Sequence, residues 1–237
     1  MEKEQLKNIL NFLEEKENKN KPFVWKLMNN ETFTDDELNI KGDLDLFEEN
    51  ITYIPEGLKV EGDLNLESCK RLKSLPDNLY VGGELNLEGT SIKQIPKGLY
   101  VGGDFKLVAL KIKSLPKDLN LDGGLDLGYC TDLTSLPNNL KVGGYLSLYN
   151  TKITSLPEGL QVGWDLYLDY TMINTLPKGL QVDGDLSITN NPLAKLSDET
   201  ILSMIEPDGY INGDIIREDN GWNNNKKNNG FPSKGRK

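Results

Sequence analysis

The chain has 237 residues and a formal net charge of −10, with 37 acidic and 27 basic side chains and no histidine. Without histidine it lacks the most frequent general base, the usual partner of a serine or cysteine nucleophile and the commonest transition-metal ligand. We therefore expect no enzyme activity, no metal site and no cofactor. The net charge predicts that the body of the protein repels nucleic acid and anionic membrane.

Residues 1–37 are predicted to form an amino-terminal helical cap. Apolar residues recur at helical spacing within residues 2–17, and residues 23–28 complete the cap. The alternative is a partner-binding or membrane-surface helix, and its mixed acidic and basic polar face disfavours the membrane. The same mixture is unlike a secretory signal, and no run of 18 apolar residues could span a bilayer, so we expect a cytoplasmic protein. The apolar positions are Leu6, Ile9, Leu10 and Leu13.

Residues 38–196 consist of eight repeat units with a period of 20 or 21 residues. Each unit contains an alternating G-x-L-x-L segment, as in residues 62–66, which predicts one short strand. The return segments are too short and too interrupted by proline to hold a helix, and Gly, Asn or Asp two residues after each proline predicts a turn with positive φ. The repeating prolines are Pro55, Pro76, Pro96, Pro116, Pro137, Pro157 and Pro177.

The units resemble the leucine-rich repeat in its shortest bacterial class. Their LPxxLxVGGxLxL variant is similar to repeat proteins of tailed bacteriophages and some bacteria. The resemblance implies a leucine-rich repeat solenoid with a parallel β-sheet on the concave face, an extended convex side and short helical caps at both ends. It also implies a polar residue after each strand that hydrogen-bonds the adjoining turn. That column reads Glu49, Cys69, Thr90, Leu110, Cys130, Thr151, Thr171 and Asn191, of which Glu49 and Leu110 depart from the pattern.

Two cysteines, Cys69 and Cys130, lie three units apart in this register. At the spacing of neighbouring strands this separation is about 15 Å, which is too long for a disulfide. We therefore predict two free, buried thiols and neither a zinc site nor a nucleophilic cysteine.

The carboxyl-terminal part is predicted to comprise a cap over residues 197–219 and a disordered basic tail over residues 220–237. Ser197 is a plausible N-cap for a short helix, and residues 210–216 resemble one last degenerate strand. The last seventeen residues hold five basic side chains and no acidic one. Such a tail favours a solubilising role, with contact to nucleic acid or to an acidic partner as the alternative.

An acidic column and an aromatic cluster occupy the predicted concave face. The acidic column can serve a local turn in every unit, can attract a basic partner, or less plausibly can bind calcium. The aromatic cluster breaks the repeat and is typical of a protein interface, although strand propensity is an alternative. The acids are Asp43, Asp63, Glu84, Asp104, Asp165 and Asp185; the aromatic residues are Tyr129, Tyr145, Tyr149, Trp164, Tyr167 and Tyr170.

These features favour a non-catalytic module that binds a partner protein on its concave face. The resemblance implies a phage-type factor that acts on a host protein in the host cytosol. The main alternative is an acidic nucleic-acid mimic that inhibits a DNA- or RNA-binding protein. A carbohydrate-active enzyme with stacking tyrosines and a carboxylate pair is disfavoured, because a shallow sheet offers no pocket that excludes water.

Overall fold

The computed structural model describes residues 21–218, and these form a solenoid of parallel strands. The α-helices are α1 (Lys21–Met28) and α2 (Asp198–Ile205), with a 3₁₀ helix at Pro192–Lys195. The odd-numbered strands are β1 (Asn39–Ile40), β3 (Lys59–Val60), β5 (Tyr80–Val81), β7 (Tyr100–Val101), β9 (Asn120–Leu121), β11 (Lys141–Val142), β13 (Gln161–Val162), β15 (Gln181–Val182) and β17 (Tyr210–Ile211). The even-numbered strands are β2 (Leu44–Asp45), β4 (Leu64–Asn65), β6 (Leu85–Asn86), β8 (Phe105–Lys106), β10 (Leu125–Asp126), β12 (Leu146–Ser147), β14 (Leu166–Tyr167), β16 (Leu186–Ser187) and β18 (Ile215–Ile216).

Each coil of the chain contributes one odd-numbered and one even-numbered strand, so that coil 1 holds β1 and β2 and coil 9 holds β17 and β18. The odd strands form one nine-stranded parallel sheet in chain order, and the even strands form a second. Parallel, sequential strands and non-helical return segments are therefore confirmed. The prediction of one strand per unit was wrong, because the residue pair before the glycines is also hydrogen-bonded to the adjacent coils. In coil 4, for example, Tyr100 N–H donates to Leu79 O and Gly102 N–H donates to Val81 O of coil 3.

The core is a continuous column of inward apolar side chains from every coil, including Leu64, Leu85 and Phe105. Helix α1 closes the amino-terminal end of the described residues by adding Phe23, and α2 closes the other end by adding Ile201. Ser197 caps α2 as predicted, since its side chain accepts a hydrogen bond from Thr200 N–H. The predicted helix over residues 2–17 and the basic tail lie outside the described residues.

The turns after the prolines follow the sequence prediction with one exception. Positive φ occurs at Gly57, Asn78, Gly98, Asn139, Gly159 and Gly179, but not at Asp118. The carboxylate of Asp118 instead accepts a hydrogen bond from Gly98 N–H in the preceding coil. Asp118 therefore connects two neighbouring coils through its side chain, and its own backbone is not left-handed.

The column of residues after each even strand holds the two cysteines in the buried core. Cys69 Sγ donates to Leu46 O and Cys130 Sγ to Leu107 O, each at 3.0 Å and 23 residues back along the chain. Asn191 Nδ2 makes the equivalent bond to Leu168 O at 3.2 Å. The thiols therefore act as donors between adjacent coils at the position that asparagine fills in coil 8.

We predict that both thiols react with a soluble thiol reagent only after unfolding. Burial raises the pKa of Cys69 to about 11 and that of Cys130 to about 12, so that little thiolate exists near neutral pH. Reagent added to the native protein at pH 8 should modify neither residue quickly, and denaturant should release both. Rapid modification of either cysteine in the native state would contradict this burial.

Two threonines of the same column provide a matched test of buried hydroxyl groups. Thr171 Oγ1 donates to Leu168 O at 2.7 Å and accepts from Asn191 Nδ2 at 2.8 Å, whereas Thr151 Oγ1 is buried without a hydrogen-bond partner among the described residues. We expect Thr171→Val to lower the free energy of unfolding by about 1–3 kcal/mol. Thr151→Val should leave it unchanged or raise it by about 1 kcal/mol. Equal losses in denaturant titrations of the two variants would refute this assignment.

Candidate functional site

The predicted aromatic site lies on the outward face of the even-numbered strands in coils 5 to 7. Strands β10, β12 and β14 are neighbours in register, with Leu125 beside Leu146 and Leu146 beside Leu166. The alternate residues Asp126, Ser147 and Tyr167 therefore lie side by side on the outward face. Tyr145 lies just before β12, and Tyr149 follows this strand, so tyrosines lie on both sides of this line of residues.

Three tyrosine rings form a continuous row at the carboxyl ends of these strands. The ring of Tyr149 lies between those of Tyr129 and Tyr170, with centroid distances of 5.2 and 5.1 Å and a tilt of 51° in both pairs. Tyr129 is 45% exposed and Tyr170 is 39% exposed. Met172, which the sequence analysis did not single out, is 68% exposed two residues after Tyr170. We call Tyr129, Tyr149 and Tyr170 the tyrosine row.

The backbone at both ends of the tyrosine row is left-handed. Tyr129 has φ 60° and Tyr170 has φ 58°, a conformation that costs a residue with a side chain about 1–2 kcal/mol. Other coils fill this position with smaller or more polar residues, namely Glu48, Ser68, Gly89, Ala109, Asn150 and Asn190. The fold therefore does not require tyrosine here, and bulky residues in a strained conformation are typical of functional sites.

Strand alternation predicts that Tyr145 faces outward and is exposed. This prediction was wrong, because only 3% of its surface is accessible. Gly124 precedes it in the same column of the neighbouring coil, and a Cβ atom at Gly124 would overlap the Tyr145 ring. The ring thus fills the space of the missing side chain and meets the Tyr167 ring edge-on at 6.4 Å. Tyr145 belongs to the packed floor of the site, and the glycine beside it in the column was the sequence signal for this.

Two phenol groups and the carboxylates of Asp126 and Asp165 lie close together in this floor. Burial, followed by the nearby charge of Asp126, raises the pKa of Tyr145 far above its ordinary value. Burial and the charge of Asp165 do the same to the pKa of Tyr167, whose hydroxyl donates to Asp165 Oδ2 at 2.9 Å. Both phenols therefore remain neutral across the physiological range.

The aspartates of the acidic column connect successive coils. Each accepts a backbone N–H of the next coil at 2.7–2.9 Å, an arrangement that the prediction of a turn within each unit did not foresee. The longer Glu84 instead pairs with Lys106 at 2.7 Å. Five carboxylates of the predicted binding stripe thus have a structural partner: Asp43, Asp63, Asp104, Asp165 and Asp185.

Trp164 is exposed but lies apart from the tyrosine row along the strand. It precedes β14, whereas Tyr170 follows this strand, so the two side chains flank opposite ends of it. Trp164 occupies a column otherwise filled by glycines such as Gly144 and Gly184, and it keeps their backbone bond, from its N–H to Gly144 O at 3.1 Å. The structure therefore brings together the tyrosines but not the tryptophan.

Within residues 21–218, no group of three or more acidic or cysteine side chains is placed to hold a metal ion. No helix in this part of the chain is long and apolar enough to cross a membrane. The sequence matches no family model and no curated protein.

Proposed function

We propose that this chain is a non-catalytic protein-binding module whose tyrosine row, together with Met172, docks on a partner protein. The row of three neighbouring rings, with exposed Tyr129 and Tyr170 at a strained backbone on either side of the half-buried Tyr149, is the observation that carries the proposal. Tyrosine supplies a large, rigid and amphipathic contact surface, and it is enriched among the residues that dominate binding energy in protein interfaces. The repeat pattern favours a short leucine-rich repeat protein of the bacterial or phage type acting on a host protein.

The geometry supports protein binding better than nucleic-acid mimicry. A mimic needs an array of carboxylates that the inhibited protein can reach and bind. The aspartates of the acidic column accept backbone N–H groups of the next coil, for example Asp104 from Gly124 at 2.7 Å, and so their positions are explained by the fold. At the positions of Tyr129 and Tyr170, by contrast, other coils carry smaller or more polar residues, so the repeat does not require an aromatic ring there.

Substitutions copied from other coils provide the sharpest test. Tyr129→Asn with Tyr170→Asn introduces the residue that coils 6 and 8 carry at this position, Asn150 and Asn190, so that the free energy of unfolding should change by no more than about 1 kcal/mol. Binding should weaken by about 1–4 kcal/mol per anchor. The measurement is quantitative capture of partners from lysate by immobilised protein, followed by titration of the protein captured.

The matched control alters two tyrosines of the first sheet. Tyr80 and Tyr100 stack at 4.9 Å, and Gln161 and Gln181 occupy their position in later coils. Tyr80→Gln with Tyr100→Gln should therefore retain every partner. Loss of the same partner in the control, or its retention in the asparagine variant, would overturn the proposal.

A further inference from the structure

A cluster of lysines occupies the segments that lead from even strands to the next odd strands. Lys73, Lys93 and Lys113 hold equivalent positions in three successive segments, and all three are exposed. Lys97 and Lys117 form a second exposed pair just after the prolines of two of these segments. We call these five lysines the basic patch.

The fold does not account for the basic patch. The same column continues in later coils as Thr134, Thr154 and Asn174, so that neutral residues fit the position equally well. Like charges about 4.8 Å apart repel by roughly 0.9 kcal/mol in water, which is mildly unfavourable. Among residues 21–218, none of the five lysines forms an ion pair.

The acids nearest in sequence do not neutralise the patch through ion pairs. Asp77 Oδ1 accepts Lys97 N–H at 3.1 Å, and Asp118 Oδ2 accepts Gly98 N–H at 3.3 Å, so both carboxylates are directed to backbone. The acidic column lies beside the even strands, before the chain turns into the lysine-bearing segments. Asp77 and Asp118 keep their negative charge beside the patch, but the five lysines outnumber them. Salt screens the acidic column over about 10 Å.

We propose that the basic patch binds the phosphate backbone of nucleic acid without sequence preference. The side chains that follow its central lysines are Ser74, Gln94 and Ser114, which are polar groups suited to phosphate oxygens. No aromatic or large aliphatic side chain is exposed among them, so the patch lacks the anchors of a protein interface. Lysine ammonium groups supply the electrostatic attraction.

The test measures binding of a fluorescently labelled oligothymidylate by anisotropy as a function of salt. The full chain should bind at low salt, with an affinity that falls as salt rises. The triple variant Lys73→Gln, Lys93→Gln and Lys113→Gln should weaken binding about tenfold to hundredfold. It should also reduce the slope of log affinity against log salt by about 2, which corresponds to three lost phosphate contacts.

Two variants with the same charge change separate the patch from other basic residues. Substituting Gln for the exposed Lys141, Lys152 and Lys195, or for Lys226, Lys227 and Lys234 of the basic tail, should alter affinity less than twofold, a small effect for charges that make no phosphate contact. The proposal fails if the full chain does not bind at low salt. It also fails if either control loses as much affinity as the patch variant, or if polyglutamate displaces the oligonucleotide as readily as unlabelled oligonucleotide does.

Discussion

Replacing Gly103 with alanine is expected to lower the free energy of unfolding by about 3 kcal/mol. A Cβ atom at this position would lie 2.6 Å from the carbonyl carbon of Gly83 and 2.7 Å from Glu84 N. Both atoms belong to the backbone of the preceding coil, to which Gly103 N–H donates a hydrogen bond at 2.9 Å. The coils can separate only by stretching that bond, so a methyl group disrupts the stacking itself. Denaturant titration measures the loss.

Gly42 provides the control for this prediction, because it occupies the same column in coil 1. Within residues 21–218, and apart from Gly42 and its two chain neighbours, no atom lies within 4 Å of a Cβ built there, and the φ of Gly42 is not left-handed. Gly42→Ala should therefore change the free energy of unfolding by no more than about 0.5 kcal/mol, or raise it slightly through the unfolded chain. Equal losses in the two variants would mean that contact between coils is not what requires glycine.

Tyr145→Ser is expected to destabilise the fold by about 3 kcal/mol. The Tyr145 ring is buried, fills the space above Gly124 and packs edge-on against Tyr167, so its removal leaves a cavity between two coils. This expectation reverses the one drawn from strand alternation alone, in which an outward tyrosine buries little surface.

The control is Tyr129→Asn, at an exposed position where other coils carry asparagine. Its free energy of unfolding should stay within about 1 kcal/mol of the original value. A Tyr145→Ser variant as stable as Tyr129→Asn would contradict the burial of Tyr145. If Tyr145→Ser is destabilised as expected, weaker binding by this variant carries no information about contact with the partner, because its fold is altered.

The repeat allowed much of the fold to be predicted from sequence. The proline period defines the coil, the alternating leucines define the even strands, and Ser197 caps α2 as its sequence pattern indicates. Burial of Cys69 and Cys130 followed from the column that they occupy. The coil, the even strands and the column of the cysteines are periodic, so each was indicated many times along the chain, whereas the Ser197 cap was indicated by its local pattern alone.

The features that the sequence did not predict depend on contacts between residues of adjacent coils. The burial of Tyr145 is set by the absent side chain at Gly124, and the hydrogen bond of Asp104 by the backbone of the next coil. Alternation within one strand describes neither interaction. The second sheet was missed for the same reason, since its two-residue strands are defined by hydrogen bonds between coils and not by a local pattern.

The most direct test of the tyrosine row as a docking surface is site-specific photo-crosslinking that leaves its three rings intact. A benzophenone amino acid at Met172 would lie beside the row on an exposed position, and the same group at Lys141 in β11 would lie on the first sheet. The proposal predicts that the label at position 172 joins the chain to one discrete protein in the lysate, whereas the label at position 141 does not. A discrete cross-link from position 141 with none from position 172 would contradict it.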